Sequence, residues 1–190
     1  MTKARDLANG GFGLVLIKPS TVVNGTDNGK GTVSFSAASS VSLNDVFSSI
    51  YTNYRIAINL TSAAASQVLM RLRVSNADNT TSNYTAALYY LRSNISQANG
   101  AGFTGPANSW ALATDANSIS YESVIELYEP FETQVTKGNQ SGFYSGYSPR
   151  QDYGISPGGL VFDGTTSFTG FTLLSNSTIT GTVSVYGYNK

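Results

Sequence analysis

The sequence predicts an all-β fold, a single antiparallel, jelly-roll-like β-sandwich with a short N-terminal arm. The first observation is composition: among 190 residues there are 26 Ser, 20 Thr and 16 Asn, against 4 Glu and 5 Lys. Strands and turns favour the former residues, whereas helices favour the latter. The second is a series of short apolar–polar alternations separated by turn signals, which is typical of sandwiches. Hydrophobic residues make up 41% of the chain, so it can bury a core.

The N-terminal part of the chain divides into an arm and the first strands. Residues 1–13 are polar and then Gly-rich, so we expect a flexible arm there, followed by a β-sandwich domain over residues 14–190. The apolar residues 14–17 predict a short strand, and the alternation over 32–36 predicts a half-buried one. Residues 43–50 contain a capping-type Asn or Asp and predict one short helical turn.

The middle of the chain alternates between strand patterns and polar loops. We expect the strands at 54–60 and 68–74 to form an antiparallel pair, because they follow one another and both alternate with period two. Two stretches, 93–108 and 137–159, are polar and Gly-rich and predict long surface loops. The other expected elements are a polar loop at 76–83, strands at 85–91 and 118–128, and a buried segment at 110–112.

The C-terminal third carries the clearest strand pattern. Residues 160–162 precede an Asp163-Gly164 turn, and residues 168–174 predict a strand. A turn at 176–178 and a last strand at 179–188 complete the series. The regular spacing of these turns supports the sandwich.

Missing residue types exclude several functions. The chain contains no His and no Cys, so it cannot build a Ser-His-Asp or Cys-His nucleophile, and zinc, copper and haem sites lose their usual ligands. With 11 basic and 11 acidic residues the net charge is zero, and we expect no nucleic-acid partner. No apolar run approaches the ~18 residues of a membrane span, and the apolar run near the N-terminus is too short for a signal peptide.

The acidic residues predict neither a catalytic centre nor a metal site. Glu122 and Glu126 fall on the outward side of one strand, ~13 Å apart. The carboxyl groups of a glycosidase lie within about 5–10 Å, so we expect a solvated strand surface and no catalytic residue. Asp27 and Asp78 lie in turns that lack the spaced ligands of a calcium loop. Calcium binding through the oxygen atoms of these turns is one interpretation. Turn formation alone is the other and is the expectation, so we expect no metal and no cofactor.

Three arginines, Arg55, Arg71 and Arg73, lie on the central strands. One interpretation is a small anion-binding patch. The other is a set of ion pairs with the Glu-bearing strand across the sheet, and this second interpretation is the expectation.

Aromatic residues in the segment 143–153 are the first candidates for contact with a receptor or a neighbouring subunit. Aromatic side chains on a Gly/Ser-rich stretch suit stacking on sugars or anchoring in an interface, and packing against the domain is the alternative. The candidates are Phe143, Tyr144, Tyr147 and Tyr153, together with Asn79 and Asn83 of the polar loop. The candidates for docking onto another protein are Phe12, Leu14 and Leu16.

Several segments carry recognisable motifs. Residues 3–9 read KARDLAN, residues 53–61 read NYRIAINLT, and residues 71–73 read RLR, followed by Asp78-Asn79. The chain ends on a strand that reads GTVSVYGY at 181–188. Together these segments resemble the C-terminal module of phage tail-fibre and tail-associated proteins, especially those of marine cyanophages. The resemblance implies a β-sandwich module on the outside of a phage particle, and it brings no catalytic residue.

The resemblance further implies a non-enzymatic virion structural protein, expected to be a tail-fibre or receptor-binding module that attaches the particle to its host by many weak contacts multiplied by avidity. The chain carries no repeat or coiled-coil shaft ahead of residue 14, so the alternative is a capsid decoration protein that docks on the major capsid protein through its arm. Expected partners are other tail or capsid proteins and a host surface polysaccharide or protein. We expect a homo-oligomer, with a trimer as one form, on the virion surface after assembly in the host cytoplasm.

Overall fold

The protein is all-β, as predicted. The structure, a computed structural model, describes residues 13–64, 66–92, 99–113, 118–146 and 153–188. Within these ranges no segment is a helix, and hence none is a helix long and apolar enough to span a membrane. The expected arm at 1–13 lies outside the described residues except for Gly13. In chain order the strands are β1 (Leu14–Ile17), β2 (Thr21–Val23), β3 (Thr26–Asp27), β4 (Thr32–Asn44), β5 (Asn53–Ser62), β6 (Val68–Val74), β7 (Ala77–Asp78), β8 (Tyr84–Arg92), β9 (Asn99–Ala107), β10 (Trp110–Ala113), β11 (Ser118–Tyr128), β12 (Thr136–Gly146), β13 (Tyr153–Ile155), β14 (Gly158–Phe162) and β15 (Gly170–Tyr188).

The two longest strands, β4 and β15, organise the sheet. They pair with each other in an antiparallel manner, and the opposite edge of β15 carries two more partners. Residues 170–175 of β15 pair with β6, whereas residues 179–187 pair with β5. β5 and β6 therefore lie end to end along one edge of β15. The predicted pairing of these two strands is wrong, because β15 supplies the hydrogen-bond partners that both of them use.

β15 is irregular in its middle but does not end there. Its register against β4 shifts between Leu174 and Ile179, and Ala37 on the facing part of β4 has a left-handed φ of 48°. The predicted turn at 176–178 is therefore wrong, since this polar stretch is an irregularity inside one strand. Such bulges bend a strand and increase its twist, which allows β15 to contribute to two parts of the sheet.

The sheet closes over a core because its two ends pack against each other. β10 and β14 are the first and last strands of the main hydrogen-bonded path, yet Trp110 Nε1 of β10 donates to Val161 O of β14 at 2.8 Å. Tyr121 OH of β11 likewise donates to Leu112 O at 3.2 Å. Trp110 is fully buried, as predicted for the segment 110–112. The finer prediction of a jelly-roll-like sandwich stays a prediction, because all the described strands belong to one sheet.

The predicted helical turn at 43–50 is wrong. β4 extends through Asn44, and Asp45 then adopts a left-handed φ of 56°, which ends the strand without starting a helix. Phe47 is buried, and its backbone N–H donates to Thr169 O at 3.0 Å. Val46 and Phe47 enter the core from an irregular connection, whereas Ile50 is exposed, so the spacing of these apolar residues does not reflect a helix.

Two stretches that were predicted as long loops contain strands. β9 occupies most of the 93–108 stretch and pairs with β8, and the 137–159 stretch holds parts of β12, β13 and β14. Residues 93–98 and 147–152 lie outside the described residues. The buried, inward-facing residues of β12 are Thr136, Gly138, Gln140, Gly142 and Tyr144. Because glycine and glutamine replace aliphatic residues at three of these positions, the period-two pattern cannot be seen in hydropathy.

Glycine is needed where neighbouring groups come close to these strands. A Cβ atom at Gly142 would lie 2.9 Å from Ser156 Oγ. A Cβ atom at Gly158 would lie 2.4 Å from Leu88 Cδ2 and 2.6 Å from Ala87 O. The glycines therefore permit close packing between strands. A hydropathy pattern cannot reveal this role, because glycine has no side chain.

A buried ionic network ties four strands together around Arg73, which is 8% exposed. Arg73 Nε donates to Asn44 Oδ1 at 2.8 Å, and Nη1 donates to Ser42 Oγ at 3.1 Å and to Thr172 Oγ1 at 2.8 Å. Arg73 also forms an ion pair with Asp78, which accepts a hydrogen bond from Thr172 Oγ1 at 2.6 Å. The network joins β4, β6, β7 and β15 at the beginning of β15, where Gly170 lies opposite Arg73.

The expected pairing of the arginines with the Glu-bearing strand is confirmed only for Arg55, which binds Glu126. For Arg71 and Arg73 it is wrong, because both pair with Asp78. The short turn after β6 brings that carboxylate back to the strand that carries the two arginines, whereas β11 does not pair with β6.

Tyr84 fixes the start of β8 against β6. Its buried ring makes edge-to-face contacts with Trp110 and Phe162, at centroid distances of 5.4 and 4.9 Å. Its hydroxyl accepts from Leu72 N–H at 3.1 Å and donates to Asn79 O at 2.9 Å. Burial raises the pKa of Tyr84 to about 12, because a buried phenolate loses its hydration.

Replacing Arg73 should be far more costly than replacing its neighbour Arg71. In Arg73→Met the Asp78 carboxylate loses its short ion pair, and loss of one partner from such a pair costs about 3 kcal/mol or more. In Arg71→Met a longer pair of 3.9 Å between half-exposed groups is lost, which costs about 1 kcal/mol or less. Urea unfolding measures both values, and equal losses would contradict the central role of Arg73.

Two adjacent glycines of β14 should respond differently to alanine. Gly158→Ala places a methyl group against Leu88 and the Ala87 carbonyl, and such overpacking costs roughly 1–3 kcal/mol. At Gly159 no atom lies within 4 Å of the added Cβ, so Gly159→Ala should leave the free energy of unfolding unchanged or raise it slightly. Thermal unfolding of both variants tests this contrast, and a stable Gly158→Ala protein would disprove the close packing described above.

The stability of the fold should decline as the pH rises above 10.0, the ordinary pKa of a tyrosine hydroxyl. Because the pKa of Tyr84 is higher in the folded state, its contribution is complete below about pH 10 and is lost on approaching about pH 12. Tyr84→Phe removes this ionisation, so the free energy of unfolding of the variant should fall less steeply over that window. The measurement is urea unfolding at several pH values. Parallel pH profiles for the two proteins would refute the assignment.

Candidate functional site

A row of side chains crosses the outward surface of four neighbouring strands. The strand registers place Asn59 of β5 opposite Glu122 of β11, Glu122 opposite Phe143 of β12, and Phe143 opposite Ile155 of β13. Neighbouring strands lie about 4.8 Å apart, so this row spans roughly 14 Å. With the adjacent residues Val124 and Tyr153 it forms what we call the outer face. All six of its side chains are exposed.

One end of the outer face is aromatic. Phe143 and Tyr153 are 43% and 52% exposed, and their rings stack with centroids 6.1 Å apart at an interplanar angle of 21°. Ile155 is 45% exposed and lies opposite Phe143 in the register. Neighbouring large apolar groups at a protein surface mark contact sites more often than scattered ones do.

The other end of the outer face is polar. Asn59 Nδ2 donates to Glu122 Oε1 at 3.4 Å, a long hydrogen bond between two exposed side chains. A carboxylate has about four lone-pair positions, so Glu122 can accept further hydrogen bonds from a ligand while it keeps this one. The carboxylate and the aromatic ring of Phe143 stand next to each other because their strands pair at that point.

A shallow depression of about 380 Å³ lies between these groups. Its lining includes two small residues, Ala57 and Ser141, and three larger ones, Glu122, Val124 and Phe143. Of the described residues that line the depression, Glu122 alone carries a charge. The depression therefore combines an apolar wall, hydroxyl and amide groups, and one negative charge.

Arg55 of β5, an arginine that the structure describes on the same surface, is already paired with a glutamate. Arg55 Nε and Nη2 both donate to Glu126 Oε1 at 2.6 Å, and Tyr188 OH donates to Glu126 Oε2 at 2.5 Å. The hydrogen bond to Glu126 raises the pKa of Arg55, and burial together with this carboxylate raises the pKa of Tyr188. This cluster fastens the end of β15 to β5 and β11, and it leaves the charge of Glu122 uncompensated by Arg55.

The structure separates the predicted contact residues. Phe143 and Tyr153 lie together on the outer face. Tyr144 is 1% exposed and belongs to the core, so its prediction as a surface contact is wrong: successive residues of a strand point to opposite sides, and Phe143 takes the outward position. Tyr147 lies outside the described residues.

Asn79 and Asn83 form local contacts in the connection between β7 and β8. Asn79 Oδ1 accepts from Thr81 N–H at 3.0 Å and from Thr81 Oγ1 at 2.6 Å. The carbonyl of Asn83 accepts from Asp163 N–H at 2.9 Å. These bonds give both asparagines a structural role, and the strand registers do not bring them to the outer face.

The predicted docking residues lie on β1, at another part of the sheet. Leu14 and Leu16 pair with Tyr188 and Tyr186 of β15. Leu14 is exposed and Leu16 is half-buried. Phe12 lies outside the described residues.

The acidic turns have structural partners. Asp27 Oδ1 accepts from Gly31 N–H at 2.8 Å, and Asp27 Oδ2 lies 3.6 Å from Lys18 Nζ. Asp78 forms an ion pair with Arg73. Among the described residues no group of three or more acidic side chains is arranged to hold a metal ion.

Sequence reasoning missed most of the outer face. Glu122 was interpreted as a solvated residue, and Asn59, Val124 and Ile155 were not singled out. Val124 could have indicated this surface, because it is an apolar residue at an outward position between two glutamates of β11. Ile155 gave none, because its strand was predicted as a loop.

Comparison with protein-family models, with curated proteins and with solved structures finds no match to this chain.

Proposed function

We propose that this chain is a non-enzymatic virion structural protein, a tail-fibre or receptor-binding module exposed on a phage particle, and that it contacts the host cell through its outer face. The observation that carries the proposal is the exposed, stacked pair of Phe143 and Tyr153 beside Ile155. The motifs at 3–9 and 181–188, which resemble those of phage tail proteins, support the assignment to a particle.

The backbone under the outer face is held on both sides. β12 pairs with β11 on one edge and with β13 and β14 on the other, and β11 pairs in turn with β5. A ligand therefore meets side chains that stand on a rigid sheet, and binding requires little ordering of the backbone. This arrangement suits repeated, reversible contact with a cell surface.

The small size of the outer face fits attachment by many copies. Six side chains provide weak binding at a single site, but linked copies on one particle raise the effective affinity strongly. The proposed homo-oligomer, for which a trimer is the form suggested by the fibre resemblance, would present several outer faces to one cell.

Capsid decoration is the second candidate, and an observation on β1 favours it. Leu14 and Val15 are exposed apolar residues on a short strand next to the N-terminal arm, where they suit contact with another virion protein.

The copy number in purified virions separates the candidates. A count comparable to that of the major capsid protein supports decoration, whereas a low count in multiples of three supports a fibre.

Phe143→Ala should weaken binding of the purified protein to host cells. Loss of a central aromatic contact commonly costs more than 1 kcal/mol, so the half-saturating concentration should rise about tenfold per site. The measurement is cell binding by flow cytometry with fluorescent protein.

Tyr128→Ala is the matched control. Tyr128 is an exposed aromatic residue on β11, the strand next to that of Phe143. It lies six positions, or roughly 20 Å, along β11 from Glu122. This variant should bind cells as the unchanged protein does. Absence of cell binding by the unchanged protein, or equal loss in both variants, would refute attachment through the outer face.

A further inference from the structure

We infer that the ligand of the outer face is a neutral glycan. This inference rests on the proposed function, because it assigns a ligand class to the same six residues. It is drawn from the order of chemical groups along the row: an amide, a carboxylate, an aromatic ring and an aliphatic side chain on four neighbouring strands.

The aromatic end fits the apolar side of a sugar ring. A pyranose presents C–H groups on its face and hydroxyl groups on its rim. An aromatic ring has a negative face, which attracts the slightly positive C–H hydrogens. Phe143 brings no polar atom, and Ile155 beside it extends the apolar support to a neighbouring sugar unit.

The polar end fits the hydroxyl groups on the rim. Glu122 accepts hydrogen bonds, whereas the Asn59 amide can both donate and accept. Two adjacent hydroxyl groups could therefore bind this pair while the same sugar contacts Phe143, because Glu122 and Phe143 are register neighbours. Hydrogen bonds to a charged acceptor are stronger than those between neutral groups.

Charge selects among glycans. Glu122 is the one charged residue among the described residues lining the depression, and the Arg55 guanidinium, four register positions further along the strands, is bound to Glu126. A uronate, sialate or phosphate group would approach an uncompensated carboxylate and be repelled. The outer face therefore favours sugars without negative charge.

Size favours a glycan over a protein. A stable protein interface uses about 20–30 residues on each side, whereas the outer face has six and a depression of about 380 Å³. A row of roughly 14 Å matches a short oligosaccharide better than a protein surface.

The first experiment identifies the class of ligand on cells that the protein binds. Surface polysaccharide from these cells is separated by anion exchange into a neutral and an acidic fraction, and each fraction competes against cell binding. We expect the neutral fraction to compete at a concentration at least tenfold lower than the acidic fraction. Periodate treatment of the cells should abolish binding, and protease treatment should leave it unchanged.

The second experiment tests the residues with purified polysaccharides. Dextran and laminarin serve as neutral probes and alginate as the anionic probe in affinity electrophoresis, beside the neutral fraction itself. Phe143→Ala and Tyr153→Ala should each weaken binding to the neutral fraction at least tenfold. Glu122→Gln should weaken it about fivefold, because a charged acceptor is lost, and should reduce the preference over alginate. Glu132→Gln, an exposed glutamate away from the outer face, should change neither value.

The outcomes distinguish this inference from the proposed function. If the protein binds cells through Phe143 but the acidic fraction competes better, or if protease abolishes binding, the glycan inference is wrong and attachment stands. If the protein binds no cells, attachment fails, and binding to dextran or laminarin that is lost in Phe143→Ala would support the glycan inference alone. Thermal unfolding of each variant confirms that a loss of binding is not a loss of fold.

Discussion

The rest of the structure depends on the shared use of β15. One long strand serves β5 and β6 along one edge and β4 along the other, and the Arg73–Asp78 pair ties the beginning of that strand to β4, β6 and β7. A buried charge pair is a costly way to join strands, since both ions lose water. Here the surrounding hydroxyl and amide groups of Ser42, Asn44 and Thr172 complete the hydrogen bonding of the guanidinium. A purely apolar junction would not fix the register of four strands in the same way.

The sequence predicted the regular strands and failed at positions where side chains are small or polar. Residues 54–60, 68–74 and 118–128 alternate clearly because aliphatic residues mark their inward positions. β12 alternates equally well in burial, but its inward residues include Gly138, Gln140 and Gly142, and periodicity in hydropathy cannot find such a strand. Pairing between strands was harder still to predict, because the partner of β5 and β6 lies about a hundred residues or more further along the chain.

The candidate site likewise contains residues that the sequence could indicate and neighbours that it could not. Phe143 and Tyr153 could be selected from their residue types, yet the choice between Phe143 and Tyr144 needed the direction of the strand. The neighbourhood of Glu122 could not be deduced at all, since it depends on which strands pair and in what register. A functional surface on a sheet is assembled across strands, whereas sequence patterns describe positions along them.

The position of β15 in the chain also governs how the protein is made. β1, β4, β5 and β6 all pair with this strand, which follows every other described strand, and Leu14 meets Tyr188. During synthesis each of these four strands has an edge without its native partner until β15 itself has left the ribosome. Such long-range topology slows folding and exposes strand edges to aggregation. Nascent chains therefore pass through a long interval in which these edges lack their native hydrogen-bond partner.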